Sequence, residues 1–244
     1  HRAFRYYRLC MLFNDIPAIF TEVETPVTNL CSVERDGILK KIKSDMEFAV
    51  QWVAEDNNRG RISKGACYHL LAKICLTLGD FDEAINATNA VIDGGRYSLM
   101  TNRFGIDGTD NTKNILWDLH RPLNKNSTEN KEVLLATLDR YEYQTAKSSQ
   151  KTLAMRNFLP FWANTTNRIQ TPDGKPGMSD KRLKEPELDY NGIYGRGIGR
   201  CRLTWYSSNA VWDDSNDLRH APGNWMKMTD LVYNNPDLKG TPYY

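Results

Sequence analysis

The sequence predicts a mostly α-helical protein in which tetratricopeptide-like helical hairpins carry a long, loop-rich ligand-binding region. In residues 1–99, apolar side chains recur at the spacings of amphipathic helices. Two of these helical segments are separated only by the short turn at Gly79 and Asp80, which is typical of an αα-hairpin. After residue 100 the composition shifts toward Gly, Pro, Asn and Asp. We therefore predict a helical region, 1–99, and a loop-rich region, 100–244, within one structural domain.

The first predicted hairpin joins two amphipathic segments. In "AFRYYRLCMLFNDIPAI", Phe4, Tyr7 and Met11 share one helical face, and Asn14 and Pro17 mark the end of the helix. The second segment, "ERDGILKKIKSDMEFAVQWVAED", carries its charged residues on the face opposite its apolar ones. Its apolar positions keep helical spacing throughout: Ile38, Leu39, Ile42, Met46, Ala49, Val50 and Val53. We interpret this first hairpin as a degenerate tetratricopeptide-like unit.

The second predicted hairpin has the clearest signals in the chain. Ser63 is expected to cap the third helix, and Gly79 stands where a helix C-terminus favours glycine. Asp80 should cap the fourth helix, with Glu83 completing a capping box. Ala72 is small enough to let the two helices approach closely. The third helix has the stripe Ala66, Cys67, Leu70, Leu71, Ile74, Cys75 and Leu78, and the fourth has the inner face Ala84, Ile85, Val91 and Ile92.

The rest of the chain lacks helical periodicity. "NTKNILWDL" and "NKEVLLATLDRYEYQ" are short apolar runs that fit either a strand or a short helix. The stretch 165–202 is rich in Gly, Pro, Asn and Asp, and a loop of this length is either functional or disordered. Most of the tryptophans lie in this loop-rich half, where aromatic rings favour a binding surface.

Composition narrows the function classes. The net charge of +2, from 32 basic and 30 acidic residues, offers no strong field to attract nucleic acid. No apolar run is long enough to span a membrane. The 5 cysteines include no C-x-x-C pair and predict no disulfide framework. Because the chain begins inside a helical pattern and without an initiating Met, we expect an internal piece of a longer protein whose targeting sequence lies outside it.

No catalytic or cofactor motif is present in the sequence. The 4 histidines are scattered, and both H-E-x-x-H and G-x-S-x-G are absent. "GIYGRGIG" at 192–199 lacks the glycine spacing of a dinucleotide site. Asp213, Ser215 and Asp217 alternate as calcium ligands do, but Leu218 stands where the calcium loop needs glycine. We predict a protein that is not an enzyme and that has no metal or cofactor.

Aromatic side chains interleaved with polar ones are the best candidates for a ligand site. The apolar face of a sugar ring stacks on an aromatic ring while fixed polar groups bond its hydroxyls. The alternative is that Trp205 and Trp212, seven positions apart, share a helix face and belong to a core. The predicted ligand-binding residues are Trp162, Tyr190, Tyr194, Trp205, Tyr206, Asn209 and Trp212.

Several segments resemble the SusD/RagB family of outer-membrane nutrient-binding lipoproteins of Bacteroidetes. The block "GRISKGACYHLLAKICLTLGDFDEAINATNAVIDGGRYSLM" at 60–100 is similar to the most recognisable stretch of that family. "AFRYYRLCMLFNDIPAI", "NDLRH" and "VYNNPD" are similar to other family segments. The resemblance covers most of this chain but only about the middle half of a full family member, without the lipidated N-terminus or the C-terminal region.

This resemblance implies a SusD-like helical superhelix and a function. The implied role is non-catalytic capture of glycans at the cell surface and their delivery to a SusC-like TonB-dependent transporter. The implied location is the cell outer membrane, where the protein would be a surface-exposed lipoprotein anchored through an N-terminal lipid that lies outside this chain. The alternatives are peptide capture of the RagB type, a tetratricopeptide-type scaffold for protein partners and, least favoured, a glycoside hydrolase.

Overall fold

A computed structural model describes residues 1–55, 61–136, 157–162, 169–221 and 224–244. The chain forms two compact units, His1–Asp139 and Arg140–Tyr244. The first unit contains α1 (Arg2–Phe13), β1 (Ile16–Pro17), β2 (Ser32–Val33), α2 (Arg35–Trp52), α3 (Lys64–Leu78), α4 (Phe81–Ile92) and α5 (Ile115–His120). The described part of the second contains α6 (Tyr190–Ile193) and single helical turns at Tyr206–Ala210, Leu218–His220, Met228–Asp230 and Pro236–Leu238. In the described ranges, no helix is both long and apolar enough to cross a membrane.

The predicted mostly α-helical fold with tetratricopeptide-like hairpins is confirmed. Consecutive helices pack in chain order, α1 on α2, α2 on α3 and α3 on α4. The link between α1 and α2 is closed by the short antiparallel pair β1–β2, in which Ile16 lies opposite Val33. Ala72, predicted as a position of close helix approach, is buried in the core between the helices. The other core residues of α2 and α3 belong to the predicted stripes: Ile38, Leu39, Ile42, Met46, Val50, Cys67, Leu71, Ile74 and Cys75.

The predicted apolar faces of α1 and α4 are partly wrong. In α1 the buried residues are Ala3 and Cys10, while Phe4 and Met11 are exposed and Tyr7 only packs against the core from its edge. In α4 the buried residues are the small Ala84 and Ala87, whereas Ile85 and Ile92 are exposed. A close approach of helices needs small side chains at the contact, so the larger residues of α4 lie outside it.

The two ends of α3 agree with the sequence, but the start of α4 does not. Ser63 caps α3 by accepting a hydrogen bond from the Ala66 N–H at 3.1 Å, and Gly79 ends it with φ 83°. Asp80 precedes α4, but its side chain makes no capping bond. Instead its carboxylate accepts from the Lys43 ammonium of α2 at 2.7 Å, and Glu83 pairs with the same ammonium. The predicted capping box is therefore replaced by a bridge between helices.

A close contact at the start of α3 explains the "SKGA" and "GGRYSL" segments of the 60–100 block. A Cβ atom on Gly65 would lie 2.5 Å from Cε2 of Tyr97, so the Tyr97 ring occupies the space that only glycine leaves open. The neighbouring Ser63 is fully buried and donates its hydroxyl to the Leu134 carbonyl at 2.8 Å. Both contacts fasten the chain that follows α4 onto the first turn of α3.

Residues 98–134 pack around a buried ion pair. The Asp118 carboxylate, which is fully buried, accepts from the Arg103 guanidinium at 2.5 Å and from the Phe104 N–H at 3.1 Å. Asn124 is also buried and donates to the Asp118 carbonyl at 3.1 Å. The run "NTKNILWDL" could be a strand or a short helix from its sequence. The structure shows that it ends in the short helix α5, which Asn114 caps. Most of "NKEVLLATLDRYEYQ" lies outside the described residues.

The described residues of the second unit are mostly irregular, as the sequence predicts, and buried polar side chains hold these loops together. The Asn234 side chain accepts from the Ser179 N–H at 2.8 Å and donates to the Leu188 carbonyl at 2.7 Å. Asp189 accepts from Arg182 at 2.6 Å and caps α6. Burial opposes ionisation of Asp189, but Arg182 and two backbone N–H groups outweigh it, so its pKa is lowered. Such saturated networks fix loops that have few regular elements.

Candidate functional site

A short turn in the second unit, residues 204–212, presents two of the predicted ligand-binding rings. The Thr204 hydroxyl accepts from the Ser207 N–H at 3.2 Å, and the Thr204 carbonyl accepts from the Ser208 N–H at 2.9 Å. At the end of the turn, the Val211 N–H donates to the Tyr206 carbonyl at 3.3 Å. These three bonds within the turn hold its backbone in place.

Trp205 and Tyr206 project from this turn into solvent. Trp205 is 74% exposed and Tyr206 is 64% exposed. Within the described ranges, neither the Trp205 indole N–H nor the Tyr206 hydroxyl has a hydrogen-bond partner. Asn209 donates its amide to the Trp205 carbonyl at 3.1 Å, which orients the amide and leaves its oxygen available. The arrangement offers two aromatic faces with polar groups at their edges.

Trp212 supports the turn from its other end. Its indole N–H donates to the Ser207 carbonyl at 3.0 Å, and its ring stacks on His220 with centroids 4.7 Å apart. Trp225 packs on both rings, with centroids 5.4 Å from Trp212 and 4.6 Å from His220. Trp212 is half-buried, so it serves the packing of the turn more than it presents a face. Sequence reasoning missed His220 and Trp225, although "RHAPGNW" places both close to the turn in the chain.

The remaining predicted residues lie in the core of the second unit. Trp162 and Tyr190 are buried, with ring centroids 5.4 Å apart, and Tyr194 packs against both. The Trp162 indole N–H donates to the Gly195 carbonyl at 2.9 Å, and the Tyr190 hydroxyl accepts from the Val232 N–H at 3.2 Å. Burial raises the pKa of Tyr194, with the neighbouring Tyr190 and Asp230 adding to the effect. These three rings pack with one another and are separate from the exposed pair; their ligand-binding role stays a prediction.

Several acidic groups among the described residues are engaged in turns and ion pairs. Asp217 caps the turn Leu218–His220 and pairs with Arg219, and these bonds lower the pKa of Asp217 to about 2. Among the described residues, Cys75, Asp80 and Glu83 have donor atoms close enough to share a metal ion. The Lys43 ammonium already bridges both carboxylates, and burial raises the pKa of the Cys75 thiol. This donor set therefore suits a lysine better than a metal ion.

Comparison with known proteins supports the resemblance drawn from the sequence. No family profile matches the chain. SusD-like protein P2 of Formosa agariphila is 32% identical over 102 residues, which cover 40% of this chain and 20% of that protein. SusD-like protein P25 of the same bacterium is 29% identical over 125 residues, which cover 48% of this chain and 24% of that protein. The predicted resemblance to SusD-like proteins is thus confirmed, over only about a fifth to a quarter of the length of these curated relatives.

Among solved structures, a SusD-like carbohydrate binding protein from Bacteroides fragilis aligns with a TM-score of 0.42 at 21% identity. The alignment covers 55% of this chain and 24% of that protein.

Proposed function

We propose that this chain belongs to a non-catalytic glycan-binding component of an outer-membrane nutrient uptake system. In this proposal the Trp205–Tyr206 surface captures an oligosaccharide at the cell surface. The protein then delivers it to a SusC-like TonB-dependent transporter, and a lipid anchor outside this chain holds the protein to the membrane. The observation that carries the proposal is the exposed aromatic pair on a turn whose own hydrogen bonds fix it. The similarity to SusD-like proteins supports the same class of function.

The chemistry of the pair suits a sugar. Carbohydrate rings have apolar faces of C–H groups that pack on indole and phenol rings, and each such contact removes apolar surface from water. The Tyr206 hydroxyl, the Trp205 N–H and the Asn209 amide oxygen can bond hydroxyls at the rim of a stacked sugar. Since the turn is already ordered, little conformational entropy is lost on binding.

The predicted residues divide into two roles under this proposal. Trp205, Tyr206 and Asn209 contact the ligand, and Trp212 holds the turn from behind through its bond to the Ser207 carbonyl. Trp162, Tyr190 and Tyr194 stabilise the core of the second unit.

The test is isothermal titration calorimetry of the purified chain against a panel of plant and host glycans, with Trp205→Ala and Tyr206→Ala variants. The chain supplies a matched control in Trp52, which is also 74% exposed but lies on α2. Loss of one stacked ring should weaken binding about tenfold or more, corresponding to ~1–3 kcal/mol of stacking and buried surface. Trp52→Ala should leave the affinity unchanged.

Two results would contradict the proposal. One is an equal loss of affinity in Trp52→Ala and Trp205→Ala, which would make the contact a general property of exposed rings. The other is binding of peptides in place of every glycan, which would favour the RagB-type alternative. Hydrolysis of a bound glycan would refute the non-catalytic part of the proposal alone.

A further inference from the structure

Two exposed arginines, Arg200 and Arg202, precede the turn that carries the aromatic pair. Within the described part of the second unit, neither guanidinium has an ion-pair partner. The other arginines described there are all paired with carboxylates: Arg182 with Asp189, Arg196 with Asp180 and Arg219 with Asp217. Arg200 and Arg202 are therefore the arginines in the described part of this unit that a ligand can engage without first breaking an ion pair.

The backbone around the two arginines is fastened in place. The Cys201 N–H, between them, donates to the Asn157 carbonyl at 2.9 Å, and the Gly199 N–H donates to the Leu159 carbonyl at 3.1 Å. Arg202 and Trp205 are three positions apart in the chain, so their Cα atoms lie at most ~11 Å apart. An extended arginine side chain spans much of that distance, so the chain spacing allows the Arg202 guanidinium to reach a sugar stacked on Trp205.

The exposed acidic side chains near the turn lie on its other side in the chain. Asp213 and Asp214 follow Trp212 in the chain and are exposed, and Asp214 accepts from the Asn216 N–H at 2.8 Å. Asp217 is already paired with Arg219. Positive charge therefore precedes the aromatic pair in the chain, and the unpaired negative charge follows it.

We infer that the ligand of the Trp205–Tyr206 surface is an anionic glycan, whose carboxylate or sulfate groups are bound by Arg200 and Arg202. This inference rests on the proposed function and adds the substrate class. A guanidinium presents parallel N–H donors and a positive charge that match the two oxygens of a carboxylate or sulfate. The hydroxyls of a neutral sugar accept hydrogen bonds but lack the matching charge. The aromatic rings supply affinity for the sugar face, and the arginines select for charge.

The experiment compares three probes by calorimetry on the purified chain: polygalacturonate, dextran sulfate and neutral dextran. The test variant is Arg200→Gln/Arg202→Gln. The matched control is Arg5→Gln/Arg8→Gln, which removes the same charge from exposed residues of α1 whose guanidiniums lie over the Phe4 ring. Trp205→Ala is measured in parallel.

At least one anionic probe should bind more tightly than neutral dextran, and added salt should weaken its binding. The Arg200→Gln/Arg202→Gln variant should lose about tenfold in affinity, since each exposed charge pair contributes up to ~1 kcal/mol. The Arg5→Gln/Arg8→Gln control should keep the parent affinity. The anionic probe that binds identifies the recognised group as carboxylate or sulfate.

The failures of the two proposals are distinguishable. Trp205-dependent binding of neutral glycans, with the anionic probes no tighter, would overturn the anionic class and keep the glycan-binding function. Equal losses in both arginine variants would also overturn it, because the effect would then be one of overall charge. Binding of polyglutamate with the same arginine dependence, and of no glycan, would overturn both.

Discussion

Replacing Gly65 by alanine tests the contact that joins α3 to the chain after α4. Alanine normally stabilises a helix relative to glycine by about 1 kcal/mol. At this position the new Cβ would lie 2.5 Å from Cε2 of Tyr97 and 2.8 Å from its Cζ and hydroxyl. Contacts this short require the Tyr97 ring to move. We therefore expect Gly65→Ala to destabilise the chain, even though alanine has a higher helix propensity than glycine.

The magnitude follows from the two opposing effects. Displacing a half-buried tyrosine returns roughly 60–100 Å² of apolar surface to water, or about 1.5–2.5 kcal/mol. Subtracting about 1 kcal/mol of helix propensity leaves a net loss of about 0.5–1.5 kcal/mol. In a Tyr97→Ala background the clash is absent, so the same substitution should stabilise the chain by up to about 1 kcal/mol. The sign of the effect should reverse between the two backgrounds.

The assay is urea unfolding followed by far-ultraviolet circular dichroism, which reports the helices of the first unit. Gly37→Ala in the first turn of α2 is the matched control, because a Cβ there meets only Val33 Cγ1 at 3.9 Å. It should be stabilising in both backgrounds. If Gly65→Ala and Gly37→Ala shift the midpoint by the same amount, or if the Tyr97→Ala background makes no difference, the proposed packing role of Gly65 is refuted.

Three further outcomes are expected. Ser63→Ala should lower the free energy of unfolding by about 2–3 kcal/mol, since it removes a helix cap and leaves the Leu134 carbonyl without its donor; urea unfolding measures this. Trp162→Ala should cost about 3–5 kcal/mol in unfolding experiments, whereas Trp205→Ala should change stability by no more than about 0.5 kcal/mol. The pKa of Asp217 is about 2 in the folded chain, whereas its ordinary value is 3.8. The stabilisation that comes from pairing with Arg219 is therefore fully present above pH 3.8 and is lost as the pH falls through 2. The stability difference between the parent and Asp217→Asn should shrink over that window, and a constant difference would contradict the pairing.

Features that depend on neighbouring residues in the chain could be predicted from the sequence, and those that depend on distant partners could not. The Ser63 cap and the Gly79 terminus are set within a few residues, and the structure contains both. The Asp80–Glu83 capping box failed because Lys43, from another helix, attracts both carboxylates more strongly than backbone N–H groups do. A helical pattern shows that a residue such as Ile92 is apolar, but the neighbouring helices decide whether it is buried.

The same distinction separates the predicted ligand-binding rings. Trp162 and Trp205 are both tryptophans in loop-rich sequence, and nothing local shows that one is buried and the other 74% exposed. The core assignment of Trp162 becomes visible only through a backbone partner distant in the chain, the Gly195 carbonyl. Composition could therefore nominate the aromatic set but could not divide it into core and surface.

Exposure alone does not make a binding site, and Trp52 shows why. It is as exposed as Trp205 and packs beside Phe48 on α2, with ring centroids 6.1 Å apart. Trp205 differs in its surroundings, because its turn is closed by its own hydrogen bonds and Asn209 is oriented beside it. Arg200 and Arg202, which have no ion-pair partner in the part of the chain that the structure describes, also precede it. A stacked ring supplies affinity for many ligands, whereas oriented polar and charged groups select among them. If Trp52→Ala and Trp205→Ala differ in glycan affinity, these surrounding groups are what distinguishes the two surfaces.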